Sequence, residues 1–261
     1  MKQKTPEVIY YTDELQDEFS VEGIKAKYIG EDYPYLHKTV FGSFFHAFLY
    51  RIIAFPLAFF YLKLKFHHRI KGKEKLKANK KKPFFIYGNH TQMIADALIP
   101  SFVCHPKTTY AIVHPNNVSM PFLGHFTPYL GAIPLPDDLK AMRNFIQCID
   151  KRVSQKKAIC IYPEAHIWPY YTKIRPFVDT SFHYPVKYDT AVYCFTNTYQ
   201  RRKRKKGVDI ITYIDGPFYP DKNLSMVENK KRLRDLCYQV MTKRAQNSDV
   251  EVIHYERKEN E

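Results

Sequence analysis

The distribution of apolar positions divides this chain into three parts. Residues 1–38 are polar and acidic and show no clear periodicity, so we expect an extended arm that can wrap the rest of the protein. Residues 40–62 form the most hydrophobic stretch. Beyond residue 66, short apolar runs alternate with segments of helical periodicity. This alternation predicts an α/β fold, in which a mostly parallel sheet is flanked by helices.

The alternating part contains strand-like and helix-like segments in turn. Strands are predicted at 66–70, 83–87, 109–113, 158–162, 190–196 and 209–214, and helices at 92–103, 137–155 and 225–246. The second of these helices has acidic residues at its start and basic residues near its end, as the helix dipole favours. We therefore predict a polar N-terminal arm over 1–39, an apolar helical membrane anchor over 40–64, and an α/β domain over 65–261 that carries the function.

The apolar segment is about as long as the roughly 20 residues that cross a bilayer. His46 and Arg51 interrupt it, and we expect Pro56 to break its second half. These interruptions favour a helical hairpin or a helix in the plane of the interface over a simple span. Nine lysines follow between residues 63 and 82, and such lysines attract anionic cytoplasmic lipids. The alternative is a core helix followed by solvated lysines. We predict membrane association at the cytoplasmic face.

The charge of the chain predicts an anionic partner. The formal net charge is +15, although residues 1–34 carry eight acidic and four basic side chains. Lipid headgroups, coenzyme A phosphates and nucleic acid would all suit such a basic body. The basic run at 201–206 fits a nucleic-acid contact, a headgroup patch or a solvated hairpin loop. The five widely spaced cysteines contain no CxxC pair and indicate reduced thiols.

The clearest chemical signal lies between Tyr87 and Asp96. His90 follows the apolar run at 84–87, and Asp96 lies in the helical segment after it. A neutral imidazole can take a proton from a hydroxyl, and a nearby carboxylate can fix its tautomer and stabilise the imidazolium that forms. The alternative is a core histidine at a strand end, with an aspartate that the helix dipole favours.

A second polar group ends another apolar run. Residues 158–162 read as a buried strand, and Pro163, Glu164 and His166 follow it. If both strands belong to one sheet, their carboxyl ends meet at the edge where α/β proteins bind ligands. The alternative is a strand ended by proline, with a glutamate and a histidine at the surface.

These motifs, in their order along the chain, resemble those of the glycerolipid acyltransferase family, whose best-known members acylate lysophosphatidate. The resemblance covers roughly 65 to 245 and rests on Asn89-His90 with Asp96, on Gly131-Ala132-Ile133-Pro134, and on Tyr162-Pro163-Glu164. It implies transfer of a fatty acyl group from acyl-CoA or acyl carrier protein to a hydroxyl of a lysophospholipid or related glycerolipid. Membrane lipids and the acyl carrier would be the partners, with no cofactor besides this co-substrate. It implies His90 as the catalytic base, Asp96 as its orienting partner, and Gly131, Pro163, Glu164 and His166 as residues that bind the acceptor.

The chain departs from the family pattern at three places. Five residues separate His90 from Asp96 where the family has four, and one extra helical residue turns a side chain by about 100°. Either the helix begins one residue later, or Asp96 is not the partner of His90. The family's Pro-Glu-Gly-Thr-Arg reads Pro-Glu-Ala-His-Ile here, and the arginine usual after the glycine block is absent as well. The resemblance therefore does not imply an arginine grip on a phosphate.

Two further interpretations follow from composition. A basic nucleic-acid-binding protein with an α/β scaffold is the alternative function, although we expect no nucleic-acid partner. The histidines at 90, 105, 114 and 166 lack a metal-binding spacing such as HExxH, so we predict no metal site.

Overall fold

The computed structural model describes residues 6–19, 23–36, 39–202 and 207–258. Its centre is a seven-stranded sheet with the order β2-β8-β7-β3-β6-β4-β5, in which only the β7–β8 pair is antiparallel. The strands in chain order are β1 Glu7–Tyr11, β2 Arg69–Lys71, β3 Phe84–Gly88, β4 Thr109–Val113, β5 Ala132–Pro134, β6 Ala158–Ile161, β7 Ala191–Arg201, β8 Val208–Phe218 and β9 Ile253–Arg257. The predicted α/β fold with a mostly parallel sheet is confirmed.

Helices cover both faces of this sheet. They are α1 Val40–Phe48, α2 Phe55–Phe66, α3 Ala95–Cys104, α4 Asn116–Ser119, α5 Leu139–Ser154, α6 His183–Lys187 and α7 Met226–Ala245. Side chains of β3 alternate between two buried clusters, since Phe84 and Ile86 pack with α2 and α3, whereas Phe85 and Tyr87 pack with α5 and α7. A strand that is buried on both faces reads as a continuous apolar run, which explains why β3 was recognisable in the sequence.

The predicted elements differ from the structure mainly at their ends. All six predicted strands and all three predicted helices occur, although the first strand begins at Arg69 instead of residue 66. Strands β1, β5 and β9 were not predicted. Strand β5 has only three residues, too few for an alternation to show. Strands β1 and β9 pair across almost the full length of the chain, where no turn signals the pairing.

Of the two forms that the sequence favoured for the apolar segment, the helical hairpin is wrong, and the helix in the plane of the interface stays a prediction. Helices α1 and α2 are joined by a π-helical turn, Leu49–Ala54, into one helix of 27 residues, Val40–Phe66. Proline lacks an N–H and its ring crowds the carbonyl of the preceding turn. In the wider π turn the backbone N–H of Phe55 reaches the carbonyl of Tyr50, so the chain passes Pro56 without a break. By length and composition alone, this helix could cross a membrane.

The long helix has two different faces. Towards the domain, His46 contacts the carbonyl of Tyr129 and the hydroxyl of Tyr110, and the Tyr50 hydroxyl donates to Ser101 Oγ at 2.8 Å. The polar interruption at His46 therefore faces protein. The opposite face exposes Phe41, Phe44, Phe48, Ile52, Leu57, Phe60 and Leu64. Only 17% of the most apolar 18-residue stretch of this helix is buried, whereas an ordinary core helix is mostly buried.

The N-terminal arm runs along the carboxyl edge of the sheet. Strand β1 pairs in parallel with β9. The carbonyl of Asp17 accepts a hydrogen bond from the Trp168 indole at 2.7 Å, in the loop after β6. Further along, the backbone N–H of Ile29 donates to the Asp137 carboxylate at 2.6 Å, in the loop after β5. These contacts place described parts of the arm at the edge where His90 also lies.

Candidate active site

His90 and Asp96 form a hydrogen-bonded pair at the carboxyl end of β3. The distance between His90 Nδ1 and Asp96 Oδ2 is 2.9 Å, and the imidazole side chain is 17% exposed whereas the carboxylate is 1% exposed. A carboxylate at Nδ1 accepts the Nδ1 proton and leaves the Nε2 lone pair as the basic site. The ring of His90 also stacks on Tyr162, with 4.3 Å between the ring centres. The pair is thus arranged for proton abstraction by Nε2.

The extra residue between His90 and Asp96 is absorbed before the helix begins. Helix α3 starts at Ala95, so Asp96 lies in its first turn. Asp96 Oδ2 also accepts the backbone N–H groups of Thr91 at 2.7 Å and Gln92 at 2.8 Å. These bonds fold the connecting loop back onto the carboxylate. Of the two possibilities that the sequence left open, the structure shows the later helix start, with Asp96 against His90.

Asn197, on β7, completes the surroundings of the carboxylate. Its side-chain Nδ2 donates to Asp96 Oδ1 at 3.2 Å, and its Oδ1 accepts from the Thr212 hydroxyl at 2.7 Å. The Thr212 hydroxyl lies 2.7 Å from Nε2 of His68, which is buried. Burial lowers the pKa of His68 to about 4. The chain of contacts from His90 through Asp96 therefore ends on a neutral imidazole inside the domain.

Glu164 supports the same loop from the end of β6. Its Oε2 accepts the backbone N–H of His90 at 2.8 Å, and its Oε1 accepts the backbone N–H of Arg175 at 2.9 Å. The Arg175 guanidinium is also buried, 3.9 Å from Glu164 Oε2. Burial raises the pKa of Glu164, and the nearby guanidinium opposes that shift. Both carboxylate oxygens thus accept protein N–H groups and hold the backbone of His90, and the acceptor contact of Glu164 stays a prediction.

The loop after β6 holds the backbone of His90 at a second point. The N–H of Trp168 donates to the carbonyl of His90 at 3.1 Å, and the N–H of Tyr170 donates to the carbonyl of Thr91 at 2.9 Å. The side chain of Trp168 is fully buried and its ring lies 4.9 Å from the Arg175 guanidinium. The position of the imidazole therefore depends on backbone bonds from two different strand ends.

The family of the chain can be assigned once this geometry is known. A family model described as Acyltransferase matches residues 67–207, which is more than half of the chain. The protein belongs to the acyltransferase family. The match spans His90, Asp96 and Glu164, the residues that the structure brings together at the carboxyl edge. No curated protein matches the sequence significantly.

A solved structure shows the same fold. The crystal structure of the 1-acyl-sn-glycerophosphate (LPA) acyltransferase PlsC from Thermotoga maritima matches with a TM-score of 0.53. The two sequences are 18% identical, and the match covers 80% of this chain and 81% of that one. At this identity the likeness supports the acyltransferase fold and says nothing of the acceptor.

The remaining predicted site residues of this acyltransferase are separated from the His90–Asp96 pair to different extents. Gly131 precedes β5, three strands from β3, which corresponds to about 14 Å across the sheet. Its φ is +98°, and a Cβ there would meet the carbonyl oxygen of Thr109 at 2.7 Å. Gly131 thus allows close approach of backbones within the sheet, away from His90. Pro163 begins the loop after β6, and His166 in that loop lies 3.3 Å from Glu18 of the arm.

Two further sequence predictions concern a metal site and the basic run at 201–206. Among the residues that the structure describes, no group of three or more His, Cys, Asp or Glu side chains could hold a metal ion. Lys203–Lys206 of the basic run lie outside the described residues. Arg202, at the start of the run, forms an ion pair with Asp209, with 2.7 Å between Nε and Oδ1.

Proposed function

We propose that this acyltransferase moves a fatty acyl group from acyl-CoA or acyl carrier protein to a hydroxyl of a lysophospholipid or related glycerolipid. The observation that carries the proposal is the His90–Asp96 pair, 2.9 Å apart at the carboxyl edge of the sheet. Membership of the acyltransferase family supports the reaction class. The acceptor class is supported by the resemblance of the motifs to those of glycerolipid acyltransferases.

The pair supports a direct transfer. His90 Nε2 takes the proton of the acceptor hydroxyl while the hydroxyl oxygen attacks the carbonyl carbon of the thioester. Asp96 stabilises the imidazolium that forms, because its carboxylate lies at Nδ1. When the tetrahedral intermediate collapses, the C–S bond breaks and the thiolate takes the proton from His90. The products are an ester and a free thiol, and no acyl-enzyme is needed.

The acceptor is proposed to be one that needs no arginine fork on a phosphate monoester. Arginine matches phosphate oxygens with two parallel N–H groups, whereas lysine and histidine act as single donors. The two arginine positions of the family are occupied by other residues here. Arg175, within the segment that follows β6, is 1% exposed and bonded to protein carbonyls. We therefore expect no strong preference for lysophosphatidate over lysophosphodiesters.

The long apolar helix is proposed to hold the enzyme at the cytoplasmic face of a membrane. Its outward face exposes large apolar side chains along its length, including Phe44, Ile52 and Leu64. The lysines between residues 63 and 82 follow directly and favour anionic lipids. A lipid acceptor dissolved in the membrane would then be available at the surface where the domain sits.

The test is an acyl-transfer assay with purified protein in mixed micelles. Acyl-CoA and acyl carrier protein are supplied in separate reactions with a panel of lysolipids, and thiol release is measured with the ester product. His90→Ala should lower kcat by about 10²–10⁴, the usual contribution of a general base. His166→Ala, a matched change at another strand end, should lower kcat far less. If His90→Ala keeps more than about a tenth of the activity, the proposed base is wrong.

A further inference from the structure

A cavity lies at the edge of the sheet opposite to His90. Its volume is about 550 Å³, and residues that precede three neighbouring parallel strands line it: Lys80 before β3, Thr108 before β4, and Lys157 before β6. Phe84 at the start of β3 also lines it. Strands rise about 3.3 Å per residue, so this cavity and His90 are about 15 Å or more apart along β3. The cavity is therefore separate from the candidate active site.

The lining of this cavity is strongly cationic. It includes six lysines from three segments of the chain, Lys73, Lys77, Lys80, Lys107, Lys156 and Lys157, together with Arg51. Glu74 is its one acidic lining residue among the residues that the structure describes. No carboxylate in the described part of the chain forms an ion pair with any of these seven cations. Such a concentration of like charge calls for an anion from outside the chain.

Two lysine side chains of the cavity hold its rim in place by hydrogen bonds to backbone carbonyl groups. Lys107 Nζ donates to the carbonyl of Lys82 at 3.0 Å and also contacts the carbonyl of Lys156. Lys73 Nζ donates to the carbonyl of Phe102 at 3.0 Å. Burial lowers the pKa of both side chains, and for Lys107 the neighbouring lysines lower it further. An anion bound between these ammonium groups would offset both effects.

The apolar part of the lining indicates what kind of molecule carries the anion. Leu76, Phe84 and Cys104 are buried side chains that contribute to the wall. The volume falls within the roughly 300–1,000 Å³ of small-molecule sites and exceeds what a single inorganic ion needs. Arg51 comes from the apolar helix, and its Nη2 reaches Thr108 Oγ1 at 3.5 Å, so this helix forms one side of the cavity.

We propose that this cavity binds a phosphate-bearing ligand with a small organic body, supplied either as an anionic lipid headgroup or as a soluble phosphate compound. Six lysines from three segments that line one cavity suit phosphate oxygens, to which each lysine acts as a point charge. The lipid source accords with the apolar helix on one side. A soluble phosphate compound accords with the volume of about 550 Å³, which suits a small molecule.

The test compares two double variants with the same change in charge. Lys77→Ala/Lys157→Ala removes two cations of the cavity, and Lys81→Ala/Lys82→Ala removes two exposed cations of the adjacent segment that do not line it. Pyrophosphate is the soluble probe, and its dissociation constant is measured by calorimetry. Vesicles of phosphatidylcholine with or without phosphatidic acid are the lipid probe, and binding is measured by flotation. Thermal unfolding without ligand verifies that each variant folds, and Lys77→Arg/Lys157→Arg retains the charge.

We expect the cavity variant to weaken binding of at least one probe about tenfold or more, whereas the surface variant stays within about twofold of the unmodified protein. A selective loss with pyrophosphate identifies a soluble ligand, and a selective loss with phosphatidic acid identifies a headgroup. Equal effects of the two variants on both probes, or no binding of either probe by the unmodified protein, would overturn the proposal. The readouts do not use acyl transfer, so this result is independent of the proposed function.

Discussion

Replacing Asp96 by asparagine tests how the carboxylate acts on His90. The change keeps the size of the side chain and removes its charge. Asp96 Oδ2 accepts hydrogen bonds from His90 Nδ1 and from two backbone N–H groups, and Oδ1 accepts one from Asn197 Nδ2. An asparagine must point its oxygen at the first three donors, which leaves its NH₂ facing the NH₂ of Asn197. The opposite orientation leaves three donors unpaired. Either arrangement costs about 1–3 kcal/mol of stability, the penalty for buried unpaired polar groups.

The effect on the rate is larger than the effect on stability. In the transition state His90 carries a positive charge, and the carboxylate at Nδ1 lies within hydrogen-bond distance. Two unit charges about 4 Å apart interact by about 4 kcal/mol at the effective dielectric near a protein surface. Because each 1.36 kcal/mol is about tenfold in rate, kcat should fall about 10³-fold. KM should change little, since the charge on His90 exists only in the transition state.

The assay measures thiol release from acyl-CoA at saturating acceptor, and unfolding in urea gives the stability. Asp96→Asn/Asn197→Asp is the matched control, because the carboxylate that it places on β7 could accept from the new amide and from the Thr212 hydroxyl. It should restore most of the stability and only part of the rate, since the charge then lies farther from His90. A loss of less than about tenfold in kcat for Asp96→Asn would mean that another group orients His90.

Three other changes separate the roles of nearby groups. Glu164→Gln should lower stability by about 3 kcal/mol, as expected when a buried charge loses its partner, and should lower kcat, whereas an acceptor-binding role would raise the acceptor KM. Phe44→Asp with Ile52→Asp should move the protein from the membrane pellet to the supernatant while the fold persists; unchanged pelleting would contradict the membrane face. The pKa of His68 is about 4 in the folded protein against about 6.5 unfolded. Its neutral form is thus favoured on folding, so this stability is complete above about pH 6.5 and is lost as the pH falls towards 4. Urea unfolding should show a loss of about 2 kcal/mol from pH 7 to pH 5, and His68→Gln should abolish that part of it.

Local patterns in the sequence were sufficient to predict the strands that position the site. Strands β3 and β6 are buried on both faces and therefore appear as uninterrupted apolar runs. Since both end at the carboxyl edge, the positions of His90 and Glu164 followed from the order of the runs. Helix α5 was also visible, because Asp138 caps its first turn by accepting the N–H of Ala141.

Contacts between distant segments could not be obtained in this way. Asn197 is a polar residue inside a strand, 101 positions after Asp96, and nothing near it in the sequence indicates that it faces a carboxylate. The role of Glu164 depends on the backbone of His90 and on Arg175, and the sequence shows only that a glutamate is present. Pro56 gave the opposite error. Local rules predict that a proline breaks a helix, but a π-helical turn before Pro56 lets the helix continue.

The turn after β6 contains a residue with a Cβ in a backbone conformation that favours glycine. Ala165 has φ = +63°, in the left-handed region, and it stands where the family pattern has glycine. A residue with a Cβ loses about 1–2 kcal/mol in this region. Glycine avoids that cost but gives up about 0.5–1 kcal/mol through its freer unfolded chain. Ala165 is exposed, so replacing it removes little packing.

We therefore expect Ala165→Gly to stabilise the protein by about 0.5–1 kcal/mol, or about 1–3 °C in Tm for a chain of this size. The matched change Ala78→Gly, in an exposed helical turn with ordinary φ, should lower Tm by a similar amount. Calorimetry of both variants checks the signs. If Ala165→Gly destabilises as Ala78→Gly does, the turn between Glu164 and His166 is not strained, and the departure from the family pattern has no energetic cost.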